Sequence, residues 1–166
     1  MQTLSVIILS ALSLAALIAS MILMRGLFPI RVDLVRQTLE NNWKRSFWIG
    51  LLNTTLITIL VLGLSTLGEG APIFYIPAFG IYGAFLIGLL IGLTAFISFL
   101  GDRLFSDQAL IKKHIRAGAV FLLASLLPGV GWFLLFPYGI SLAAGAVIIT
   151  LFQERKKRKS KKIQEE

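Results

Sequence analysis

Few residues in this sequence are of the kinds that do chemistry, and they are scattered. The single histidine, His114, lies in the basic segment Lys112-Lys113-His114-Ile115-Arg116. With no second histidine and no neighbouring carboxylate cluster it lacks the company a metal site needs, and it reads as an ordinary loop residue. Serines are present, but a serine nucleophile needs a base beside it, and only His114 or a lysine could serve. No cysteine occurs, which removes thiolate chemistry, disulfides and cysteine metal ligands. No glycine-rich phosphate loop followed by Lys-Ser/Thr is found, and no pair of acids falls within an apolar run. Glu69 is an isolated carboxylate in an aromatic segment, where a proton or cation site competes with the commoner reading of a solvated turn residue. The sequence therefore predicts no catalysis, no cofactor and no metal.

The elements that carry these residues are apolar and long. Of 166 residues, 57% are hydrophobic and 14% are charged, and the mean hydropathy is +0.86. A water-soluble fold of this size could not hide so much apolar surface. Nearly all the charges fall into three short segments separated by runs that have none. A helix rises about 1.5 Å per residue and the hydrocarbon core is about 30 Å thick, so roughly 20 apolar residues make one crossing. Leu4 to Met24, Phe47 to Leu67 and Gly80 to Leu100 each have that length. The first could be mistaken for a secretory signal. Against that reading, no Lys or Arg precedes it, while Arg25, Arg31 and Arg36 follow, an order that favours an uncleaved anchor with its N-terminus outside.

The basic residues give an orientation, because cytoplasmic loops are enriched in Lys and Arg near helix ends. Arg25, Arg31, Arg36, Lys44 and Arg45 fall between the first two runs, and the loop from Glu69 to Phe79 has no basic residue. Arg103, Lys112, Lys113 and Arg116 follow the third run, and a basic tail follows Phe152. All three basic segments should share the cytoplasmic side, so the fourth run, Ala117 to Phe152, must go in and come back. As one straight helix its 36 residues would extend about 54 Å. Leu127-Pro128-Gly129-Val130-Gly131-Trp132 supplies a turn, and Pro137-Tyr138-Gly139 predicts a second break. The expectation is a helical hairpin over 117–152 with Pro128, Gly129, Gly131 and Pro137 at its bends, either two short tilted crossings or a re-entrant pair.

The predicted architecture is thus an all-α, polytopic transmembrane bundle with three full spans, this hairpin and one interfacial helix. A single membrane domain occupies residues 1–152, and 153–166 form the cytoplasmic tail. The interfacial helix is residues 30–46, where Ile30, Leu34, Val35, Leu39, Trp43 and Phe47 recur at helical spacing. Phe74, Tyr75, Phe79 and Tyr82 read as anchors of an apolar outer loop. In the third span Ala84, Gly88 and Gly92 lie four apart, a small-residue face for close helix packing, within the subunit in preference to between subunits. Asn53, Thr54, Thr55 and Thr58 make the second span partly polar, but no ionisable residue lies firmly inside a span, which weighs against an ion-coupled transporter.

The tail residues Arg155, Lys156, Lys157, Arg158, Lys159, Lys161 and Lys162 form a basic cluster directly after a membrane segment. They are expected to hold anionic lipid headgroups, at about 1 kcal/mol per charge near the surface, with the last residues disordered. The net charge is +8, seven of the 16 Lys and Arg lie in this cluster, and no nucleic-acid partner is expected.

From Gly26 to Phe152 the chain resembles the membrane domain of bacterial bactofilin-like, polymer-forming proteins and their small stand-alone relatives. The likeness rests on Phe28-Pro29, on Gly50-Leu51-Leu52, on Gly101-Asp102-Arg103-Leu104-Phe105 and on Leu127-Pro128-Gly129-Val130-Gly131-Trp132. The soluble β-helical polymer domain of that family has no counterpart in this sequence. The resemblance implies an anchor or scaffold in a bacterial cytoplasmic membrane, without a reaction attached. Taken together, these features predict a non-catalytic scaffold or accessory subunit that forms a homo-oligomer or joins a larger membrane complex. The alternative is a small channel or transporter with its pathway at the Pro128–Gly131 break, and a membrane-embedded enzyme ranks third.

Overall fold

The computed structural model describes residues 2–105, 107, 109–127 and 129–164, with the side chains of 2–7, 9–11, 14, 110, 157–159 and 161–164 excepted. The described residues are almost wholly helical: α1 (Gln2–Leu27), α2 (Pro29–Gly70), α3 (Tyr75–Leu104), α4 (Leu110–Ser125) and α5 (Phe136–Gln164). A 3-10 turn, Pro72–Phe74, leads into α3, and a π-turn, Gly131–Leu135, leads into α5.

Prolines mark where these helices begin. Pro29 opens α2 and Pro72 opens the 3-10 turn, while Pro77 and Pro137 sit in the first turns of α3 and α5. In a first turn the amide proton that proline lacks would have no intrahelical acceptor anyway. Pro137 differs, because the π-turn runs straight into α5 and the ring falls within continuous helix, yet Pro137-Tyr138-Gly139 does not break the chain as the sequence predicts. The π-turn widens the helix just ahead of the ring, and the Phe136 N–H bonds the carbonyl of Gly131, five residues back.

Three helices are long and apolar enough to cross a membrane, Pro29–Gly70, Pro72–Leu104 and Gly131–Lys156, and α1 contributes the shorter apolar stretch Ala15–Leu27. The architecture is all-α and belongs to an integral membrane protein. Residues 47–67 and 80–100 lie inside α2 and α3. Residues 30–46 are the first part of α2, joined to the rest with only a kink at Asn42 (φ −139°, ψ 37°). Of their apolar stripe, Val35 and Leu39 are buried while Ile30 and Trp43 are exposed. The segment after Glu69 is no loop: after one extended residue, Ala71, the 3-10 turn passes directly into α3, and Phe74, Tyr75, Phe79 and Tyr82 stay exposed.

The core is concentrated toward one end. Met21 from α1, Val32, Val35 and Leu39 from α2, Phe96 and Ile97 from α3, Phe121 from α4 and Leu142 from α5 form one cluster. Phe96 and Phe121 meet edge to face with centroids 5.3 Å apart. The remainder of α2 is different, because Leu51, Leu52, Leu56, Ile59, Leu60, Leu62 and Leu67 are all exposed. In water such a surface would drive association, whereas lipid tails are as apolar as leucine and solvate it without penalty.

α2, α3 and α5 pack together, α1 rests on α3 and α4, and α4, joined to α5 through the bend, packs on α3. At the bend, Gly131 N–H bonds Leu127 O at 3.0 Å and Phe133 N–H bonds Gly129 O at 3.0 Å. Gly129 has φ +88°, a left-handed conformation that glycine alone adopts without a Cβ clash.

Candidate functional site

A polar cluster ties four helices together at the basic end. Ser98 and Asp102 lie four residues apart on the last turns of α3, so they share one face. Arg25, from the last turn of α1, donates to Ser98 Oγ and lies 3.7 Å from Asp33 of α2. Asp102 accepts from Arg36 of α2 and, at 2.8 Å, from Lys113 Nζ of α4. Gly101 permits that approach, since a Cβ there would press on Lys113 and Ala117. Arg36 Nε also lies 3.7 Å from Glu40 one turn along its own helix. A separate tie joins α2 to α5: Arg31 donates to Glu154 at 3.0 Å, and buried Thr38 and Thr150 share a 2.9 Å bond. The segments 25–46, 101–116 and the start of the tail are thus gathered at one end of the bundle.

His114 is part of this cluster, which corrects its reading as a loop residue. α4 begins at Leu110, seven residues before the apolar run at Ala117, and the helix turns His114 inward toward α3 while Lys112 and Arg116 stay exposed. It is 4% exposed, with Nδ1 3.3 Å from Ser98 Oγ. Burial pushes its pKa down to about 4, Arg25 adds to the depression, and Asp102 opposes it. His114 is therefore neutral at pH 7. The Ser98 hydroxyl donates to Thr94 O at 2.8 Å. With its proton engaged there, Ser98 Oγ accepts from Arg25 and from the Nδ1–H tautomer of His114, a polarity opposite to that of a serine activated by a base. The cluster's chemistry is that of matched fixed charges.

The helix-packing residues divide along α3. Gly92 is buried against the backbone of Ala143 on α5, where a Cβ would overlap the Ala143 carbonyl. A Cβ on Gly88 would meet only a Val147 methyl at 3.8 Å, and Ala84 is exposed. The tightest approach involves residues not singled out from sequence. A Cβ on Gly50 would overlap the carbonyl oxygen of Ser141, and one on Gly145 would overlap that of Ser46. Ser46-Phe-Trp-Ile-Gly50 and Ser141-Leu-Ala-Ala-Gly145 have the same small-residue spacing as Gly88 and Gly92, so the signal was available.

At the hairpin, Pro128 lies outside the described residues. Gly129 is in the turn, Gly131 is buried against the Ala124 and Ser125 carbonyls, and Pro137 is within α5. In the basic tail α5 runs on through Gln164, and the last two residues lie outside the described residues. Arg155 and Lys156 are exposed, and the side chains of Lys157, Arg158, Lys159, Lys161 and Lys162 lie outside those described. Glu69 is exposed in the last turn of α2, at the opposite end from the cluster. Asn53, Thr55 and Thr58 each bond a carbonyl one turn back on α2.

Comparison with protein-family models, with curated proteins and with solved structures gives no match.

Proposed function

We propose that this chain is a non-catalytic membrane scaffold or accessory subunit, oriented with its basic end toward the cytoplasm, in the bacterial cytoplasmic membrane that its motifs imply. The observation that carries this reading is the asymmetry of the bundle. One end is fixed by Asp102, its two cations and the core around Leu39 and Ile97, while the far half of α2 offers Leu52, Leu56, Ile59 and Leu62 unpacked. A fixed end sets the angles of the helices, and a free apolar face is where a second copy or a larger membrane complex packs. The orientation follows the enrichment of cytoplasmic ends in Lys and Arg, and the tail cations add attraction to anionic headgroups.

The test is affinity purification from native membranes in mild detergent, followed by native mass spectrometry. A stoichiometric partner or a defined homo-oligomer is the expected result, and a lone monomer overturns the reading. A second reading, a small channel or transporter, draws on the π-turn at Gly131–Leu135, since such turns often mark functional positions. Conductance or uptake in proteoliposomes that is abolished by Asn53→Leu would replace the scaffold reading with that one.

A further inference from the structure

Beside the Ser46–Gly145 crossing, α2 and α5 diverge and leave a cleft of about 510 Å³. From α2 it is lined by Arg45, Ile49 and Asn53, a stripe of every fourth residue on one helix face. From α5 the walls are Ile148, Ile149 and Phe152, with Lys156 one turn beyond. A second cleft of about 200 Å³ shares Ile148 and Phe152 and adds Arg155. The lining combines aliphatic and aromatic side chains with the amides of Asn53 and Gln153 and the cations Arg45 and Lys156. α2 and α5 run antiparallel, as the Arg31–Glu154 and Thr38–Thr150 pairs require. The early part of α2 and the late part of α5 thus share the basic end; Arg45 stands beside the Ser46–Gly145 crossing, Lys156 lies farther along α5 toward that end, and both line the cleft.

Neither cleft is lined by a carboxylate. The nearest acid in sequence, Glu154, is turned away onto Arg31 at 3.0 Å. Two cations with no carboxylate against them among the described residues, beside a largely apolar trough at the end of membrane-length helices, match one kind of molecule, an amphiphile with a phosphate at its head. The volume is within the range of sites that hold small ligands. We propose that this cleft seats one anionic glycerophospholipid, with its phosphate between Arg45 and Lys156 and an acyl chain along Ile49, Ile148 and Phe152. This is a defined binding site, distinct from the diffuse attraction of the tail, and it does not depend on the scaffold reading.

The test uses the full chain in mild detergent, stripped of co-purified lipid. It is titrated with phosphatidylglycerol or with phosphatidylcholine of the same acyl chains, and bound lipid is counted by native mass spectrometry. The first phosphatidylglycerol is expected to bind more tightly than phosphatidylcholine and to resist competition by inorganic phosphate. Arg45→Gln should weaken that first binding roughly fivefold, the value of one surface charge. Ile148→Trp should block it by filling the trough while every charge remains, and Lys161→Gln with Lys162→Gln should leave it intact. Equal affinity for the two lipids overturns the proposal. So does loss only in the tail variant, insensitivity to both cleft variants, or displacement by inorganic phosphate. A monomer that retains the lipid preference would sink the scaffold reading and keep this one.

Discussion

Gly50 of α2 lies directly against the carbonyl oxygen of Ser141 on α5, and Gly145 of α5 lies in the same way against the carbonyl of Ser46. The two contacts are reciprocal, so the helix backbones touch with no side chain between them. Close approach of this kind maximises van der Waals contact, which is a main source of helix association where lipid removes the hydrophobic driving force.

The first prediction concerns what a single methyl does at that contact. Gly50→Ala or Gly145→Ala must push the helices apart, and each should destabilise the fold by about 2 kcal/mol or more. Gly92→Ala should behave similarly, because its Cβ would overlap the Ala143 carbonyl. Gly88→Ala should be tolerated, since its Cβ would meet only a Val147 methyl at 3.8 Å. Thermal unfolding of the four variants in one detergent decides the matter. Equal effects at Gly88 and Gly92 would contradict this account.

The second prediction isolates Asp102. Asn has the same shape but leaves Lys113 without its counter-charge and Arg36 with only Glu40 at 3.7 Å, and the Lys113 side chain is only 14% exposed. Because an unpaired, partly buried cation is the main cost, Asp102→Asn should destabilise by about 2 kcal/mol. Adding Lys113→Met should recover part of that loss. An unfolding series of both variants in detergent tests the sign, and a double variant less stable than the single one would refute it.

How much of this was legible in the sequence depended on which signal each element carried. α2 and α3 were visible because their apolar runs are membrane-length, and the hairpin because Gly129 and its neighbours form an obvious breaker. The basic segments meet at one end, as their placement in the sequence implied. His114 lies in a charged segment that resembles a loop in sequence, yet Lys112, Lys113 and Arg116 ride the outer and flanking faces of a helix whose inner face carries the imidazole. Pro137 leaves the helix unbroken because the π-turn just before it widens the helix where the ring enters. The Asp102 cluster could not be anticipated, since its members come from four helices and pairing across helices leaves no periodic trace. The Ser46 and Ser141 motifs carry the same small-residue spacing, but serine in the first position makes them less conspicuous than a pair of glycines.

The third prediction addresses the buried Thr38–Thr150 bond. Thr38 can also donate to Leu34 O at 3.0 Å, and Thr150 to Ala146 O at 2.8 Å. Each hydroxyl has one proton, so only one of the two donates across the interface while the other donates to its own helix. Thr38→Val therefore leaves Thr150 satisfied and should cost only about 0.6 kcal/mol, the average for hydrogen bonds between membrane helices. In a double-mutant cycle with Thr150→Val, that whole amount should appear as coupling. A coupling near zero would mean that the two hydroxyls do not share a proton.

The last prediction is a pH dependence. His114 has its pKa lowered from 6.5 to about 4 by burial and by Arg25. In the unfolded chain it takes up a proton near pH 6.5, whereas in the folded chain it resists until about pH 4. Between those values the unfolded state binds more protons, so stability is complete above about pH 6.5 and falls as pH drops toward 4. Each unit of that window is worth about 1.4 kcal/mol, for a total on the order of 3 kcal/mol. The wild-type curve alone would mix the protons of other groups with that of the imidazole. Comparison with His114→Gln separates them: glutamine keeps a polar group beside Ser98 but takes up no proton, so carboxylate effects are common to both curves. The difference between the two unfolding profiles should grow as pH falls from about 6.5 to about 4 and then level off. Parallel profiles across that window would show that His114 is not held neutral by its surroundings.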